Sequence, residues 1–123
     1  MAGDSAGGHL ALAVSMLSVI RGFKVPEGIV AHYPNLCKDS SRFFPSYLLT
    51  LDELTLNEPV RNTFSNTFMK NGGYVKLSPI LSPLYAPNLL LKNMKRLRMF
   101  VCELDALRDS ELTFGQKFLS ADK

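Results

Sequence analysis

Residues 3–8 read Gly3-Asp4-Ser5-Ala6-Gly7-Gly8, with a glycine two positions to either side of the serine. That G-x-S-x-G spacing suits a sharp turn from strand into helix, in which the serine backbone is strained and its flanking glycines, Gly3 and Gly7, are required to lack bulk. Such a turn exposes the Ser5 hydroxyl as a candidate nucleophile. The run Leu10, Leu12, Val14, Leu17 and Ile20, with alanines between, predicts a helix that ends near Arg21 and Gly22. At the start of that helix the Ala6 amide points where an attacked carbonyl would gather negative charge, with the helix dipole behind it, which makes half an oxyanion hole. The plain alternative for the same residues is a glycine-rich loop. The related Gly-Asp-Ser-Gly-Gly-Pro of trypsin-like proteases fits less well: alanine follows the serine here, and a long helix stands where those proteins place β structure.

Working outward, Gly28-Ile29-Val30-Ala31-His32-Tyr33-Pro34 predicts a buried strand closed by proline. Two helices are expected around Ser46 to Leu54 and Pro59 to Lys70, the second with proline in its first turn and followed by Gly72 and Gly73. Pro79, Pro83 and Pro87 forbid regular structure and predict an ordered loop crossing a surface. A second strand is expected over Arg98 to Glu103. An amphipathic helix follows over Asp109 to Ser120, with Leu112, Phe114, Phe118 and Leu119 as its apolar set. Alternating strands and helices predict an α/β fold of parallel strands with crossover helices, in one domain spanning 1–123. The first helix has so little polar surface that packing on several faces is expected.

The chain is 46% hydrophobic and 20% charged, as in a soluble globular domain with a modest core. Its formal charge of +3 is spread along the chain. The only close basic group, Lys92, Lys95, Arg96 and Arg98, sits beside Leu97, Met99 and Phe100 and reads as a solvated strand entrance, so no nucleic-acid partner is expected. Cys37 and Cys102 form no disulfide framework, and with Cys102 in an apolar run they are expected as free thiols in a reducing compartment. The stretch from Leu10 to Ile20 is too short to span a bilayer, and no signal peptide is visible. Two isolated histidines and two distant cysteines offer no metal-ligand spacing, and no phosphate-binding glycine loop is present, so neither metal nor cofactor is expected.

Gly3 to Leu10 resembles the nucleophile turn of the hormone-sensitive lipase family of α/β-hydrolases. Val25-Pro26-Glu27-Gly28-Ile29 with Tyr33-Pro34, Leu81 to Pro87, and Leu104-Asp105-Ala106-Leu107-Arg108-Asp109 look like further family segments in family order. Pro45 to Asp52 looks closer to the family's namesake than to its bacterial esterases. The resemblance implies a partial α/β-hydrolase catalytic domain that cleaves carboxylic esters, with acylglycerols or sterol esters as substrates, in a cytoplasmic setting that includes lipid droplets. It implies Ser5 as nucleophile, Ala6 in the oxyanion hole and Asp105 as the acid that orients the catalytic histidine. Asp105 follows an apolar strand, where α/β folds collect functional groups, although an aspartate there also caps helices. Asp109 would cap or brace the same loop.

The family's first strands, including the one that feeds the turn, and its His-Gly-Gly-Gly loop are expected before Met1. The last strand, its helix and the catalytic histidine are expected beyond Lys123. His9 and His32 are poor bases, one on the helix facing away from Ser5, the other on the flank of a strand. The chain alone is therefore expected to be inactive. Phe43, Phe44, Leu48, Leu49 and Phe64 suit an acyl pocket or ordinary core equally. A second reading is a non-catalytic remnant that binds lipid or a partner through exposed apolar faces, and peripheral contact with a lipid surface is compatible with either.

Overall fold

The computed structural model describes residues 1–39, 41–68 and 78–121. Three parallel strands, β1 (Ala2–Asp4), β2 (Gly28–His32) and β3 (Arg96–Phe100), lie side by side in that order. The four α-helices among the described residues are α1 (Ala6–Arg21), α2 (Glu58–Phe68), α3 (Asn88–Lys92) and α4 (Arg108–Leu119). Tight 3-10 turns occupy Pro45–Thr50 and Pro83–Tyr85.

Strand β1 corrects the expectation that the feeding strand lies before Met1 and that the sheet has two strands. Its small residues carry no strand pattern; pairing with β2 makes it one. Val30 N–H donates to Met1 O (2.9 Å), and the register sets Ala2 beside Val30, Gly3 beside Ala31 and Asp4 beside His32. Strand β3 begins earlier than expected and ends at Phe100, so Cys102 is exposed beyond it instead of buried within it. Both cysteines are free thiols, and burial pushes the half-buried Cys37 thiol up.

Register partners Ala31 and Met99 point to one face, where Ala31 faces Gly8 of α1 and Met99 faces Gly115 of α4. On that face Leu12, Met16, Ile29, Leu91, Phe114 and Phe118 belong to a single buried cluster, with Leu97 and Met99 half-buried against it. The opposite face carries a row drawn from all three strand ends, Asp4, His32 and Phe100. There His32 Nδ1–H donates to Asp4 Oδ1 (2.6 Å), and the His32 ring meets Phe100 edge-on with centroids 4.7 Å apart.

Helix α1 ends as expected, with Gly22 in the left-handed conformation (φ 67°) and its N–H on the Val19 carbonyl. It packs on fewer sides than expected: Leu10, Val14, Leu17 and Ile20 form an exposed stripe. The expected helix over Ser46 to Leu54 is instead a single 3-10 segment, anchored where Ser46 Oγ donates to Ala106 O (2.7 Å). Helix α2 starts behind Asn57, whose Oδ1 accepts from Val60 N–H (3.2 Å), and Pro59 sits in its first turn. Its expected end near Lys70 and the glycines after it lie outside the described residues. The proline-rich loop does not merely cross a surface, because Ser82, Pro83, Leu84 and Ala86 are buried. Ser82 Oγ accepts from Lys38 N–H (2.9 Å), and Leu84 N–H donates to Leu36 O (3.0 Å), so the loop fills the core by trading hydrogen bonds with the segment after β2.

In α4 the apolar set is half right: Phe114 and Phe118 are buried, but Leu112 and Leu119 are exposed. Glu111 takes a core position with no surface exposed, and neither carboxyl oxygen has a hydrogen-bond partner among the described residues. Burial, and secondarily the negative charge of Asp105, push its carboxyl up to about 8 from 4.5. The folded state therefore holds a proton that the unfolded chain releases above pH 4.5, so this group's contribution falls as pH rises towards about 8 and is lowest beyond it. Glu111→Gln should flatten that slope. In urea denaturation its stability relative to the parent chain should rise by about 2–4 kcal/mol between pH 5 and pH 8, and an unchanged slope would show that Glu111 is not the titrating group.

Candidate active site

Ser5 caps α1 with φ 50° and ψ −112°, a conformation that costs a non-glycine residue about 1–3 kcal/mol. Two backbone bonds hold it there. Its N–H donates to His32 O at the end of β2 (2.9 Å), and its carbonyl accepts from His9 N–H (3.1 Å), closing the first helical turn. The side chain is exposed, and its hydroxyl has no hydrogen-bond partner among the described residues. The amides of Ala6, Gly7 and Gly8 precede the first one bonded within the helix, so Ala6 N–H is available beside the serine.

The two flanking glycines differ. A Cβ on Gly3 would stand 2.4 Å from the backbone carbon and oxygen of Gly7, which only a backbone shift could relieve. A Cβ on Gly7 would meet nothing within 4 Å, so the steric demand expected at both positions exists at Gly3 alone. Gly8, which the motif reading left without a role, is the second tight position: its Cβ would lie 3.0 Å from Gly3 O and 3.1 Å from the Pro34 side chain.

Ser5, Ala6 and His9 line a cavity of about 300 Å³ with Leu10, Leu56 and Phe64. Lys38 and Arg61 add two cationic side chains to its wall. His9 is buried, with Nε2–H donating to Ile80 O (2.8 Å); burial first and the Lys38 charge second lower its pKa, so its ring is neutral at pH 7. Its bond to Ser5 is the backbone one, from His9 N–H to Ser5 O. His32 lies outside this cavity, in its row with Asp4 and Phe100. Of the apolar residues proposed for an acyl pocket, Phe64 lines the serine cavity, Phe43 and Leu48 line an adjoining one of about 220 Å³, and Phe44 belongs to the core.

Asp105 lies on the wall of another cavity of about 220 Å³, with Thr50, Glu53 and Cys102. Leu56 borders both this space and the serine cavity, so the structure sets Ser5 and Asp105 in adjoining spaces, not in one. The Asp105 Oδ1 accepts from Leu107 N–H (2.8 Å), the capping geometry, and Oδ2 has no partner among the described residues. Asp109 braces the loop: Oδ2 accepts from Ser46 N–H (2.7 Å), and Oδ1 pairs with Arg108 Nε (3.0 Å). Burial opposes its charge, yet the Arg108 and Ser46 bonds together hold its carboxyl below the usual range. Among the described residues no three acidic, histidine or cysteine side chains gather as metal ligands, and no helix is long and apolar enough to cross a membrane.

A strained serine between strand and helix, at the carboxyl ends of parallel strands, has the geometry of the nucleophile turn of hydrolases. Residues 1–123 match the family described as the alpha/beta hydrolase fold, and the chain belongs to it. Among individual relatives it is similar to hormone-sensitive lipase of Mus musculus (49% identical over 51 residues, 42% of this chain and 7% of that protein). Hormone-sensitive lipase of Bos taurus is 47% identical over 51 residues, again 42% of this chain and 7% of that one. The motif resemblance to the hormone-sensitive lipase family therefore holds. Among solved structures, carboxyl esterase 2 from the mycorrhizal fungus Tuber melanosporum superposes with a TM-score of 0.86 at 25% identity, covering 98% of this chain and 39% of that one. A fungal esterase from Rhizomucor miehei gives 0.88 at 26% identity, covering 98% and 36%. The chain thus spans well under half of each of these proteins.

Gly3→Ala should unfold or loosen the turn, at a cost of about 2–3 kcal/mol, whereas Gly7→Ala should leave stability unchanged or raise it by up to about 1 kcal/mol. Thermal melts of the two variants check this, and equal losses at both positions would contradict the asymmetry.

Proposed function

We propose that this chain carries the nucleophile and the catalytic acid of a serine carboxylic ester hydrolase. The observation that supports this most directly is Ser5 at φ 50°, at a cavity mouth beside the Ala6 amide, its hydroxyl without a partner among the described residues. In the proposed reaction Ser5 Oγ attacks the acyl carbon, and the carbonyl oxygen takes the negative charge opposite Ala6 N–H. The serine proton passes to an imidazole, which returns it to the departing alcohol. Water, deprotonated by the same imidazole, then displaces the acyl group as a carboxylic acid, and the imidazolium gives that proton to the departing Ser5 Oγ.

The imidazole is proposed to come from a residue outside this chain. His9 is neutral but bound to Ile80 O, and His32 belongs to the row on the other face of the sheet. Asp105 would orient that imidazole through Oδ2 while Leu107 N–H holds Oδ1. The likeness to hormone-sensitive lipase supports acylglycerols or sterol esters as first candidate substrates, and with them a cytoplasmic setting in contact with lipid droplets.

A fluorophosphonate ester probe tests the reading on the 123-residue chain and on a longer polypeptide extending it at both ends. The longer protein should label, Ser5→Ala should abolish the labelling, and the short chain should react at least about 100-fold more slowly for want of a base. Labelling of the longer protein that survives Ser5→Ala would overturn the assignment. Rapid labelling of the short chain at Ser5 would show that His9 or His32 serves as base.

A further inference from the structure

The cavity beside Ser5 has a composition that ester hydrolysis by itself does not require. Leu10, Leu56 and Phe64 make it apolar, yet Lys38 and Arg61 line it too, and no described carboxylate does. Arg61 is held in place from one side. Its Nη1 donates to Thr50 Oγ1 (3.1 Å) and Leu56 O (2.9 Å), and its guanidinium lies 4.5 Å from the centre of the Tyr47 ring. Its Nε–H and Nη2–H groups, the edge that matches a carboxylate with two parallel bonds, have no partner among the described residues, and no described acid pairs with the side chain. Lys38 is half-buried beside it; with the Asn35 amide turned to donate to Cys37 O, its side-chain oxygen accepts from Lys38 Nζ (2.9 Å). Burial lowers the Lys38 pKa to about 8, which leaves the ammonium largely charged at neutral pH.

A half-buried guanidinium with an unused donor edge is a costly arrangement unless an anion completes it. We propose that the Ser5 cavity accepts esters that carry a carboxylate on a short arm, with Arg61 gripping the carboxylate and Lys38 reinforcing the charge. The proposal rests on the reading of Ser5 as nucleophile and narrows its substrate class away from neutral acylglycerols and sterol esters. A cavity of about 300 Å³ lies at the small end of ligand sites, which suits a short arm over a long acyl chain.

Binding, which needs no turnover, tests it separately from catalysis. Amide shifts of the isotope-labelled 123-residue chain would be followed while monoethyl glutarate, which bears one carboxylate, and neutral diethyl glutarate are titrated in. The expected result is saturable shifts at Ser5, Ala6 and Arg61 with the half-ester, and affinity about tenfold weaker for the diester. Arg61→Met and Lys38→Met should each bring the half-ester down towards the diester. Arg61→Lys, which keeps the charge and loses the fork, should fall between, and amide dispersion reports whether each variant is folded. Ser5→Ala should bind the half-ester unchanged.

Equal affinity for the two esters, or shifts that saturate away from this cavity, would overturn the proposal. So would affinity about tenfold higher for 2-acetoxyethyl phosphate, which would assign the site to phosphate. If the half-ester binds while fluorophosphonate fails to label Ser5 in the longer protein, the anion site stands and the hydrolase reading falls. Labelling without discrimination between the esters gives the reverse.

Discussion

The close approach of Gly3 to the backbone of Gly7 is the constraint on which the site depends. Strand β1 and helix α1 are joined by one residue, Ser5, and so abrupt a reversal brings the strand's end and the helix's first turn into contact. With no Cβ on Gly3 the two backbones can touch. The Ser5 N–H then reaches His32 O across the sheet, and the serine is left at φ 50° with its hydroxyl outward. Strand pairing supplies the energy that holds this strained residue: the register of β1 against β2 places Asp4 beside His32, and the Ser5 bond continues that ladder by one step. The turn and the sheet are one structure, so a change at Gly3 acts on Ser5 without touching it.

Packing carries the same logic outward. Gly8 lies against Ala31 and Pro34, which seats α1 on the central strand close to the turn. The buried loop from Ser82 to Ala86 closes the other side of the core through Lys38 and Leu36. Because Lys38 N–H is fixed by Ser82, the segment that follows β2 is carried into the serine cavity, where its side chain faces the same space as Ser5 and Arg61. The chemistry of the cavity is therefore set by segments distant in sequence, tied together by backbone-to-side-chain hydrogen bonds.

The site's first half was legible in the sequence because it is local. The G-x-S-x-G spacing and the helix after it give the turn, Ser5 and the Ala6 amide from a few adjacent residues, and the order of elements gave the parallel α/β arrangement. What escaped depends on distant partners. Strand β1 has no pattern of its own and exists through pairing with β2. Gly7 read as constrained because it lies in the motif, but the contact that matters runs in one direction, from Gly3. Cys102 sits in an apolar run yet falls beyond the last ladder bond of β3. Leu112 and Leu119 fit an amphipathic period, while the helix turns Glu111 into the core, and no pattern of hydrophobic residues announces a buried acid.

Glu111 bears on the second half of the site. Asp105 holds one oxygen on Leu107 N–H and keeps the other without a partner among the described residues, as its proposed role beside an imidazole N–H requires. An ionised Glu111 would add a second negative charge near it inside a region from which water is excluded. Its proton is retained instead, because burial and the charge of Asp105 both disfavour ionisation. Asp105 stands at a cavity wall with a backbone donor, whereas Glu111 stands in the core with no partner among the described residues and holds its proton. The contrast follows from helix α4 alone: residue 105 lies before its first turn and residue 111 on its inward face, so one short segment sets both environments.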